Sequence, residues 1–533
     1  MIRLSNIKYP LEQEITNDSL KNIVCKMLKT NINNILNIKI AKKSIDAREK
    51  RGGFYVLALD VDIKDENKYL KIKDVSKTEP FKYHIPKIKY NKSPVVIGFG
   101  PSGLMAGLIL ARSGLNPIII ERGKSVYERS KDINNFWKNG KLDENSNVQF
   151  GEGGAGTFSD GKLTTGIKDY RCRVLLEEFV KASAPEEILY NAKPHIGTDR
   201  LITMVKNMRE EIISLGGQVL FEHKMIDLLT KDNFVTGVTI ENLKTKEIFD
   251  IDTDNVVLAI GHSARDTFEL IDSKNHPIEK KPFAVGVRIE HSQNFINNAQ
   301  YGKFACYLPP ADYKLSVRLP NNRGAYTFCM CPGGYVVNAS SEKDRLVTNG
   351  MSYFSRSGNN ANSALLIEVY PDDLDNNYIL SGVDFQRALE HKAFIAGGSN
   401  YFAPVQKIGD VLKGIPSTSI GDIEPTFKPG VTPSDFREIF PDFIYNSIRL
   451  GIIEMDKKIK GFGDENGLLT AVESRSSSPI RIIRDKESLQ SIKYKGLYPC
   501  GEGCGYAGGI VSAGVDGIKC AEAIINRLSN IKN

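Results

Sequence analysis

One glycine-rich turn constrains the fold of this chain more than any other feature. Gly98, Gly100 and Gly103 form the pattern GxGxxG, after the apolar run VVI and before the helix-like run LMAGLILARSG. Glu121 follows 23 residues after Gly98, at the end of a second apolar run. This order of strand, glycine turn, helix, strand and acidic residue predicts a βαβ unit that binds a dinucleotide. A chance glycine turn is the alternative.

The residues of this turn have separate predicted roles. Gly98 makes the tight turn, Gly100 lets the backbone approach a pyrophosphate, and Gly103 lets the helix pack against the sheet. Pro101 and Ser102 begin the helix, where unpaired N–H groups and the positive end of the dipole favour phosphate.

The end of the second strand adds two polar residues to the predicted site. Glu121 can accept hydrogen bonds from ribose hydroxyls, and its negative charge would repel a 2′-phosphate. Arg122 follows it directly and is counted with the cofactor-binding residues.

The far end of the chain indicates which dinucleotide binds. The run LYPCGEGCGYAGGIVSAGVDGIKCAEAI combines a strand, a glycine turn and a helix, and it resembles the C-terminal flavin motif of FAD enzymes of the glutathione-reductase-like superfamily. The resemblance implies noncovalent FAD, with Glu502 beside Gly501 holding the ribityl hydroxyls. Backbone N–H groups of Gly508, Gly509 and Ile510 would face the flavin, because a helix N-terminus stabilises the negative charge of its reduced form.

Two further segments fit the same resemblance. NVVLAIGHSARDT is similar to the third signature of the superfamily, with Ala259 and Gly261 where the chain passes the cofactor. The glycine-rich loop 149–166 is expected to cross the flavin face, although an ordinary flexible loop is the alternative. The residues expected near FAD in this loop are Gly153, Gly154, Gly156, Ser159 and Lys162.

With these residues in view, the chain resembles a family of bacterial FAD-dependent proteins often labelled NAD(FAD)-utilizing dehydrogenases. The resemblance covers almost the whole chain and rests on long runs such as GGAGTFSDGKL, PFAVGVRIEH, TFCMCPGGYVVNASSE, ESRSSSPIRI and YPCGEGCGYAGGI. It implies an α/β fold with a Rossmann-type FAD-binding domain, an inserted α+β (β-rich) substrate domain and a small N-terminal α+β domain. The expected boundaries are 1–92 for the N-terminal module, 93–279 and 475–533 for the FAD-binding domain, and 280–474 for the inserted domain.

The positive charge of the chain is concentrated in its first segment. Residues 1–92 hold 20 Lys and Arg against 11 Asp and Glu, whereas the other 441 residues hold 51 against 53. This imbalance is consistent with binding of RNA or another polyanion, and a Lys- and Asn-rich solvated surface is the alternative. The densest basic cluster comprises Lys39, Lys42, Lys43, Arg48, Lys50 and Arg51.

Composition limits the remaining classes of protein. With 41% hydrophobic and 25% charged residues, the chain is typical of a soluble globular protein. It contains no run of ~20 apolar residues that could span a membrane, and its N-terminus lacks the apolar region of a secretory signal. Eight cysteines are too sparse for a disulfide framework, and they show no zinc-like spacing. We therefore expect a cytoplasmic protein without a structural metal.

The predicted inserted region and its return to the FAD domain supply the catalytic candidates. In ESRSSSPIRI, Arg475 could fix an anionic substrate or stabilise reduced flavin. Ser477, with its neighbours Ser476 and Ser478, could hydrogen-bond a substrate or flavin N5. An arginine that only pins a loop is the alternative. In CMCPGG, Cys331 with Cys329 could form a redox-active thiol pair, but such close cysteines make a strained disulfide, and two small buried hydrophobes are the alternative. His262 and His291 are interpreted as structural histidines. His262 follows Gly261 in the chain and could therefore lie near FAD.

These observations predict an FAD-dependent oxidoreductase that passes a hydride through flavin N5, in a pocket between the FAD and inserted domains. Residues 280–474 carry no second GxGxxG pattern, so NAD(P)H would bind only transiently, or another small-molecule donor would serve. A flavin-dependent RNA-modifying protein and a noncatalytic flavin-binding redox sensor are the alternatives.

Overall fold

The computed structural model describes residues 1–48, 53–375 and 377–530. Lys50 and Arg51, two members of the predicted basic cluster, lie outside the described residues. No helix of the described ranges is both long enough and apolar enough to cross a membrane.

The N-terminal module is an antiparallel sheet covered by one helix. Its elements are β1 (Ile2–Pro10), α1 (Asn17–Leu28), β2 (Ile35–Asp46), β3 (Phe54–Ile63) and β4 (Val75–Lys77), with strand order β2-β3-β1-β4. Helix α1 begins after Thr16, whose hydroxyl accepts a hydrogen bond from the N–H of Ser19. It buries Leu20, Val24 and Leu28, one residue per turn, against the sheet.

The second unit is built on a parallel sheet. Its first part comprises β5 (Val95–Ile97), α2 (Pro101–Ser113), β6 (Ile118–Glu121), α3 (Val126–Asn139), α4 (Arg171–Lys181), α5 (Thr198–Ser214), β7 (Gln218–Phe221), β8 (His223–Lys231), β9 (Phe234–Asn242), β10 (Ile248–Asp252), β11 (Val256–Leu258), α6 (Arg265–Ser273) and β12 (Ile278–Lys280). Strands β8, β9 and β10 form a separate antiparallel sheet.

The third unit is a seven-stranded sheet with helices packed on it. It comprises β13 (Phe283–Ser292), α7 (Gln293–Tyr301), β14 (Ser316–Arg318), β15 (Gly324–Cys331), β16 (Tyr335–Asn338), β17 (Thr348–Met351), β18 (Asn360–Val369), α8 (Ser381–Ala396), β19 (Ala403–Lys407), α9 (Ile408–Lys413), β20 (Val431–Pro433), α10 (Asp442–Asp456) and β21 (Leu468–Glu473). The strand order is β14-β15-β18-β13-β21-β19-β20, and β16 pairs with β17 beside it.

The chain then returns to the parallel sheet. Strand β22 (Ile480–Ile482) pairs with β12, so the segments that enter and leave the seven-stranded sheet run side by side. Strand β23 (Leu497–Pro499) joins β11 at the edge of the parallel sheet, and α11 (Ile510–Asn530) follows. The resulting order β23-β11-β5-β6-β7 is parallel throughout.

This architecture confirms the predicted fold class, an α/β protein with a Rossmann-type domain, a β-rich insertion and a small N-terminal α+β module. Parallel strands end at the same edge of a sheet, so the turns after β5, β6, β11 and β23 meet there. Helices α2 and α11, which follow β5 and β23, also pack closely. A Cβ atom on residue 517 would lie 2.1 Å from the carbonyl oxygen of Ser102, so the close approach requires Gly517. The two glycine motifs, about 400 residues apart in the chain, therefore form one site.

Candidate functional site

A cavity of about 430 Å³ lies at the carboxyl edge of the parallel sheet and extends to the seven-stranded sheet. Most of the cofactor-binding residues predicted from sequence lie on its wall. They are Gly98, Gly100, Pro101, Ser102, Glu121, Arg122, Gly154, Gly156, Ser159, Lys162, Ala259, Gly261, Glu502, Gly508, Gly509 and Ile510.

The three remaining predicted glycines lie behind the cavity wall and are Gly103, Gly153 and Gly501. A Cβ atom on Gly103 would lie 1.9 Å from the carbonyl oxygen of Gly98, so this glycine permits the tight turn between β5 and α2. Gly153, with φ +83°, donates its N–H to the carbonyl of Phe99 at 2.8 Å. Gly501, with φ +75°, leaves no room for a Cβ atom beside the Ser102 side chain. All three therefore hold backbone segments that carry the cavity wall.

Glu121 has more partners than its sequence position indicated. It lines the cavity but is only 5% exposed, and its carboxylate accepts N–H hydrogen bonds from Phe99 (2.8 Å), Gly123 (2.9 Å) and Gly151 (2.9 Å). It thus joins both glycine-rich loops to strand β6, and its predicted contact with ribose hydroxyls would use the remaining lone pairs. Arg122 is held by an ion pair with Asp266 at 2.8 Å.

Arg129, which the sequence analysis missed, organises the second glycine-rich loop. The side chain is fully buried and donates to the carbonyls of Asn147 (2.7 Å), Val148 (2.8 Å), Glu152 (2.8 Å) and Gly154 (3.0 Å). A single guanidinium therefore fixes the loop that places Gly154 and Gly156 on the cavity wall. The signal in the sequence was weak, because Arg129 is one of several charged residues in the amphipathic helix α3.

Glu502 and His262 face each other across the turns after β23 and β11. The Glu502 Oε1 and His262 Nε2 atoms are 3.8 Å apart, and the Glu502 side chain is 22% exposed towards the cavity. Burial raises the pKa of Glu502 to about 7. Burial, with smaller contributions from Arg475 and Arg265, lowers the pKa of His262 to about 3, so this imidazole is neutral at physiological pH.

Arg475 lies on the cavity wall, but its guanidinium belongs to a buried ionic network. It donates to both carboxylate oxygens of Glu390, at 3.0 and 2.9 Å, to the Ser341 hydroxyl at 2.5 Å and to Glu342 at 3.3 Å. Arg265 pairs with the same two carboxylates. Four of the five N–H donors of Arg475 are therefore in use, which favours the alternative in which it fixes the loop, through carboxylates instead of carbonyls.

A second buried ion pair reaches the cavity from the seven-stranded sheet. Arg288 of β13 is fully buried and binds the Glu473 carboxylate of β21 at 2.8 and 3.1 Å. It also donates to the carbonyl of Cys329 at 2.8 Å. Burial raises the pKa of Glu473 to about 7. The signal in the sequence was a charged residue inside the apolar run FAVGVRIE, a pattern that is rare in a strand buried on both faces.

The other catalytic candidates do not reach the cavity wall. Ser477 is half-buried, whereas its neighbour Ser476 lines the cavity and donates to the carbonyl of Ala284. Cys331 is fully buried behind the wall, and Cys329 takes the place on it. His291 is buried among aromatic rings, with its Nε2 atom 2.9 Å from the carbonyl oxygen of Phe462, as its structural interpretation predicted.

Two cysteines and one aspartate near the cofactor turns form a cluster that an arginine already contacts. Asp516 lies with the sulfurs of Cys500 and Cys520 in a cluster of metal-ligand type. Arg484 donates to both oxygens of Asp516, at 2.9 and 2.7 Å, and to the Cys520 sulfur at 3.6 Å. A cationic side chain thus takes the place that a metal ion would need.

The donor groups and free spaces of the cavity fit FAD. Helix α2 begins at Pro101 without a side-chain cap, so the N–H groups of its first turn face the cavity at the position where a dinucleotide pyrophosphate binds. Helix α11 begins at Ile510, also on the wall. Between them, Gly261, Gly508 and Gly509 have no heavy atom within 4 Å of the position of a Cβ atom, which leaves open space beside the backbone for a flat ring. The fold and this site define a flavoprotein.

Comparisons with known proteins agree with this class. A family described as FAD-dependent protein, C-terminal domain-like, matches residues 282–476, and a domain of unknown function (DUF8436) matches residues 1–62. An uncharacterized protein of Clostridium beijerinckii is 45% identical over 537 residues, which cover 99% of each chain. The chain belongs to the same family as this protein. FAD, the predicted cofactor, is confirmed.

Several solved structures are similar at low identity. A flavoprotein/dehydrogenase of Cytophaga hutchinsonii is 12% identical, with 82% of this chain and 79% of that chain covered and a TM-score of 0.38. A geranylgeranyl bacteriochlorophyll reductase-like protein of Thermoplasma acidophilum is 15% identical, with 82% and 79% covered and a TM-score of 0.36. THI4 of Thermovibrio ammonificans is 17% identical, with 36% of this chain and 66% of that chain covered and a TM-score of 0.25.

Proposed function

We propose that this protein is an FAD-dependent oxidoreductase whose active site is the part of the cavity between the parallel sheet and the seven-stranded sheet. One observation carries the proposal: a single cavity joins the dinucleotide turns and Lys162 of the second glycine-rich loop to polar groups of the inserted sheet, including Cys329 and Glu473. Bound FAD supplies reversible hydride acceptance and donation at N5. Sites for small molecules commonly lie at such domain interfaces.

The chain's own groups would hold the cofactor noncovalently along the cavity. The N–H groups of Ser102 and Gly103 at the start of α2 would bind the pyrophosphate, and Glu121 would accept from the adenosine ribose. Glu502, on the cavity wall, would bind the ribityl hydroxyls, and the open space beside Gly508 and Gly509 would receive the flavin ring above the start of α11. The positive end of the α11 dipole would then favour negative charge on the ring.

The opposite end of the cavity would receive the substrate. It is lined by Lys162, Lys193, Lys314 and Asp312, with Lys193 and Asp312 paired at 2.6 Å. Within the described residues, Lys162 and Lys314 have no carboxylate partner, which favours a substrate with an anionic group. Residues 280–474 lack a second GxGxxG pattern, so NAD(P)H, if it is the donor, would bind transiently over the flavin.

An anaerobic titration of the purified holoprotein tests this function. We expect a yellow protein whose flavin absorbance is bleached by NADH, NADPH or another small donor and restored by an acceptor. A protein that contains no flavin and takes none up would refute the proposal. A flavin that no donor reduces would instead favour the redox-sensor alternative.

Nucleic-acid binding by residues 1–92 stays a separate proposal, supported by exposed lysines on strand β2. Lys39 and Lys42 are exposed, whereas Arg48 pairs with Asp46. The edge of β2 is partly covered, since the backbone of Lys43 exchanges hydrogen bonds with Tyr190 and Ala192 at 2.8 Å each. Co-purified RNA, with binding that weakens steeply as salt rises, would support this partner. Lys39→Glu/Lys42→Glu would then weaken binding, and unchanged affinity would refute the assignment.

A further inference from the structure

The run CMCPGG places two cysteines at the substrate end of the cavity. Cys329 is half-buried on the cavity wall, and Cys331 is fully buried directly behind it. The Cys331 sulfur lies 3.2 Å from the carbonyl oxygen of Cys329, and both thiols are free. Cys329 therefore reaches the cavity, whereas Cys331 is shielded from solvent.

A bulge in strand β15 brings the two cysteines together. Phe328 pairs with Ala364 of β18 and Cys331 pairs with Asn362, so two residues of β15 oppose one residue of β18. Cys329 has φ +43°, in the left-handed region that a side chain rarely adopts. In a regular strand, residues two apart have Cα atoms separated by ~6.6 Å, near the upper limit of ~6.8 Å for a disulfide. The bulge bends the strand at Cys329, so the separation in a regular strand does not apply to this pair.

Positive charge surrounds the outer cysteine. Arg288 donates to its carbonyl oxygen at 2.8 Å, and Lys162 donates to the neighbouring carbonyl of Met330. A hydrogen bond from Cys331, with the charges of Arg288 and Lys162, lowers the pKa of the Cys329 thiol below its ordinary value. Burial raises the pKa of Cys331, which therefore keeps its proton and serves as the donor.

The acidic groups that face Cys329 are themselves paired or neutralised. Asp160 binds the Arg356 guanidinium at 2.6 and 3.0 Å, and Glu473 binds Arg288. Burial raises the pKa of both Glu473 and Glu502 to about 7, which reduces their negative charge near neutral pH. The net field at Cys329 therefore favours a thiolate, the form that acts as a nucleophile.

We propose that Cys329 and Cys331 form a thiol–disulfide exchange pair whose substrate is a disulfide that enters the cavity. The Cys329 thiolate attacks one sulfur of the substrate, the substrate S–S bond breaks, and one substrate thiolate leaves. Cys331 passes its proton to that thiolate and attacks the Cys329 sulfur, which forms the Cys329–Cys331 bond and releases the second substrate thiolate. The two cysteines are oxidised by two electrons and the substrate disulfide is reduced by two.

A second, shielded thiol distinguishes this pair from a lone reactive cysteine. Addition to an electron-poor carbon would need only Cys329, whereas a mixed disulfide needs a neighbouring thiol to resolve it. The pair also differs in position from the cysteines of the thiol-shuttle flavoenzymes, whose CxxxxC run would follow the first glycine motif and is absent from this sequence. The inference deepens the proposed function by naming a substrate class for the same cavity.

Single-turnover exchange in the reduced, desalted holoprotein tests the pair without any electron donor. An aromatic disulfide that releases a coloured thiolate is the probe, in a Cys25→Ala/Cys172→Ala/Cys306→Ala background that removes the other thiols that are not fully buried. We expect two coloured thiolates from this site, no retained adduct, and a Cys329–Cys331 disulfide in the peptide map. With Cys331→Ser, one thiolate is released and the adduct stays on Cys329. With Cys329→Ser or Cys329→Ala, the site releases none, because Cys331 is buried.

The pH dependence of the alkylation rate of Cys329 provides a second readout. Because the pKa of the Cys329 thiol is lowered, its alkylation rate should reach a plateau at a lower pH than that of an unperturbed cysteine, whose pKa is ~8.5. An unreactive Cys329 in a protein with full FAD content would overturn the exchange pair alone, as would an adduct that persists on Cys329 while Cys331 is present. Exchange in a protein that binds no FAD would overturn the proposed function and leave the pair intact.

Discussion

Arg475→Met separates a structural role from a catalytic one. The variant removes a guanidinium that is buried among the carboxylates of Glu390 and Glu342, while Arg265 stays in place. Breaking a buried ion pair by removing one partner destabilises a protein by roughly 3–5 kcal/mol, because the other charge is left uncompensated. At roughly 2–4 °C per kcal/mol for a domain of this size, the thermal midpoint of the inserted domain should fall by at least ~6 °C.

The chain offers both a probe and a matched control for this measurement. Trp137, the single tryptophan, lies on α3 and donates to the carbonyl of Asn338 in β16 at 2.9 Å, so its fluorescence reports separation of the two units. Arg318→Met removes an arginine of the same inserted sheet that is 61% exposed and pairs with Glu368 at 3.2 Å. Since exposed pairs contribute only ~0–1 kcal/mol, the control should unfold like the parent protein.

The thermal midpoint at low pH tests the role of the Arg475–Glu390 ion pair independently. The arginines hold the pKa of Glu390 well below its ordinary value, so the stability from this carboxylate is present above pH ~4.5 and is lost as the pH falls towards the depressed pKa. In Arg475→Met the pKa of Glu390 rises, and the difference in midpoint between variant and parent should narrow below pH 4.5. A double variant with Glu390→Gln should lose less than the sum of the two single losses. A variant that keeps its thermal midpoint but loses activity would refute the structural interpretation of Arg475.

Further variants address the cofactor site. Gly103→Ala should fold poorly and bind little FAD, because its Cβ atom would overlap the Gly98 carbonyl. Gly508→Ala should keep the stability of the apoprotein and lose FAD affinity, since its Cβ atom would enter space that the flavin needs. Equal FAD affinity in Gly508→Ala and the parent protein would contradict the placement of the ring. Glu502→Gln should raise the thermal midpoint of the apoprotein at pH 8 and leave it almost unchanged at pH 4. A carboxyl whose pKa burial raises to about 7 costs stability only above its unfolded pKa of ~4.5, and the cost is complete above the folded pKa. A midpoint difference that is the same at both pH values would exclude this titration. Arg129→Met should expose 147–154 to proteolysis and weaken FAD binding, and a protease-resistant loop with parental affinity would show that other contacts fix it.

The parts of this protein that sequence could predict are those whose physical cause is local. A tight turn between strand and helix needs glycine at fixed spacing, so Gly98 and Gly103 identified the βαβ unit without knowledge of the rest of the chain. The run around Glu502 marked the second turn in the same way. Because strand and helix types also follow from short-range patterns, the fold class and the cofactor could be predicted from these segments.

Only the tertiary structure decided which charged and sulfur-containing side chains reach the cavity. Arg475 meets Glu390 across 85 residues and Arg288 meets Glu473 across 185, and no local pattern specifies such partners. Which of Cys329 and Cys331 lies on the cavity wall depends on a bulge that forms where β15 pairs with β18, a strand that begins at Asn360. Local spacing therefore determined where a flavin can bind, whereas long-range packing in a low-dielectric interior determined which charged and sulfur-containing groups lie on the cavity wall.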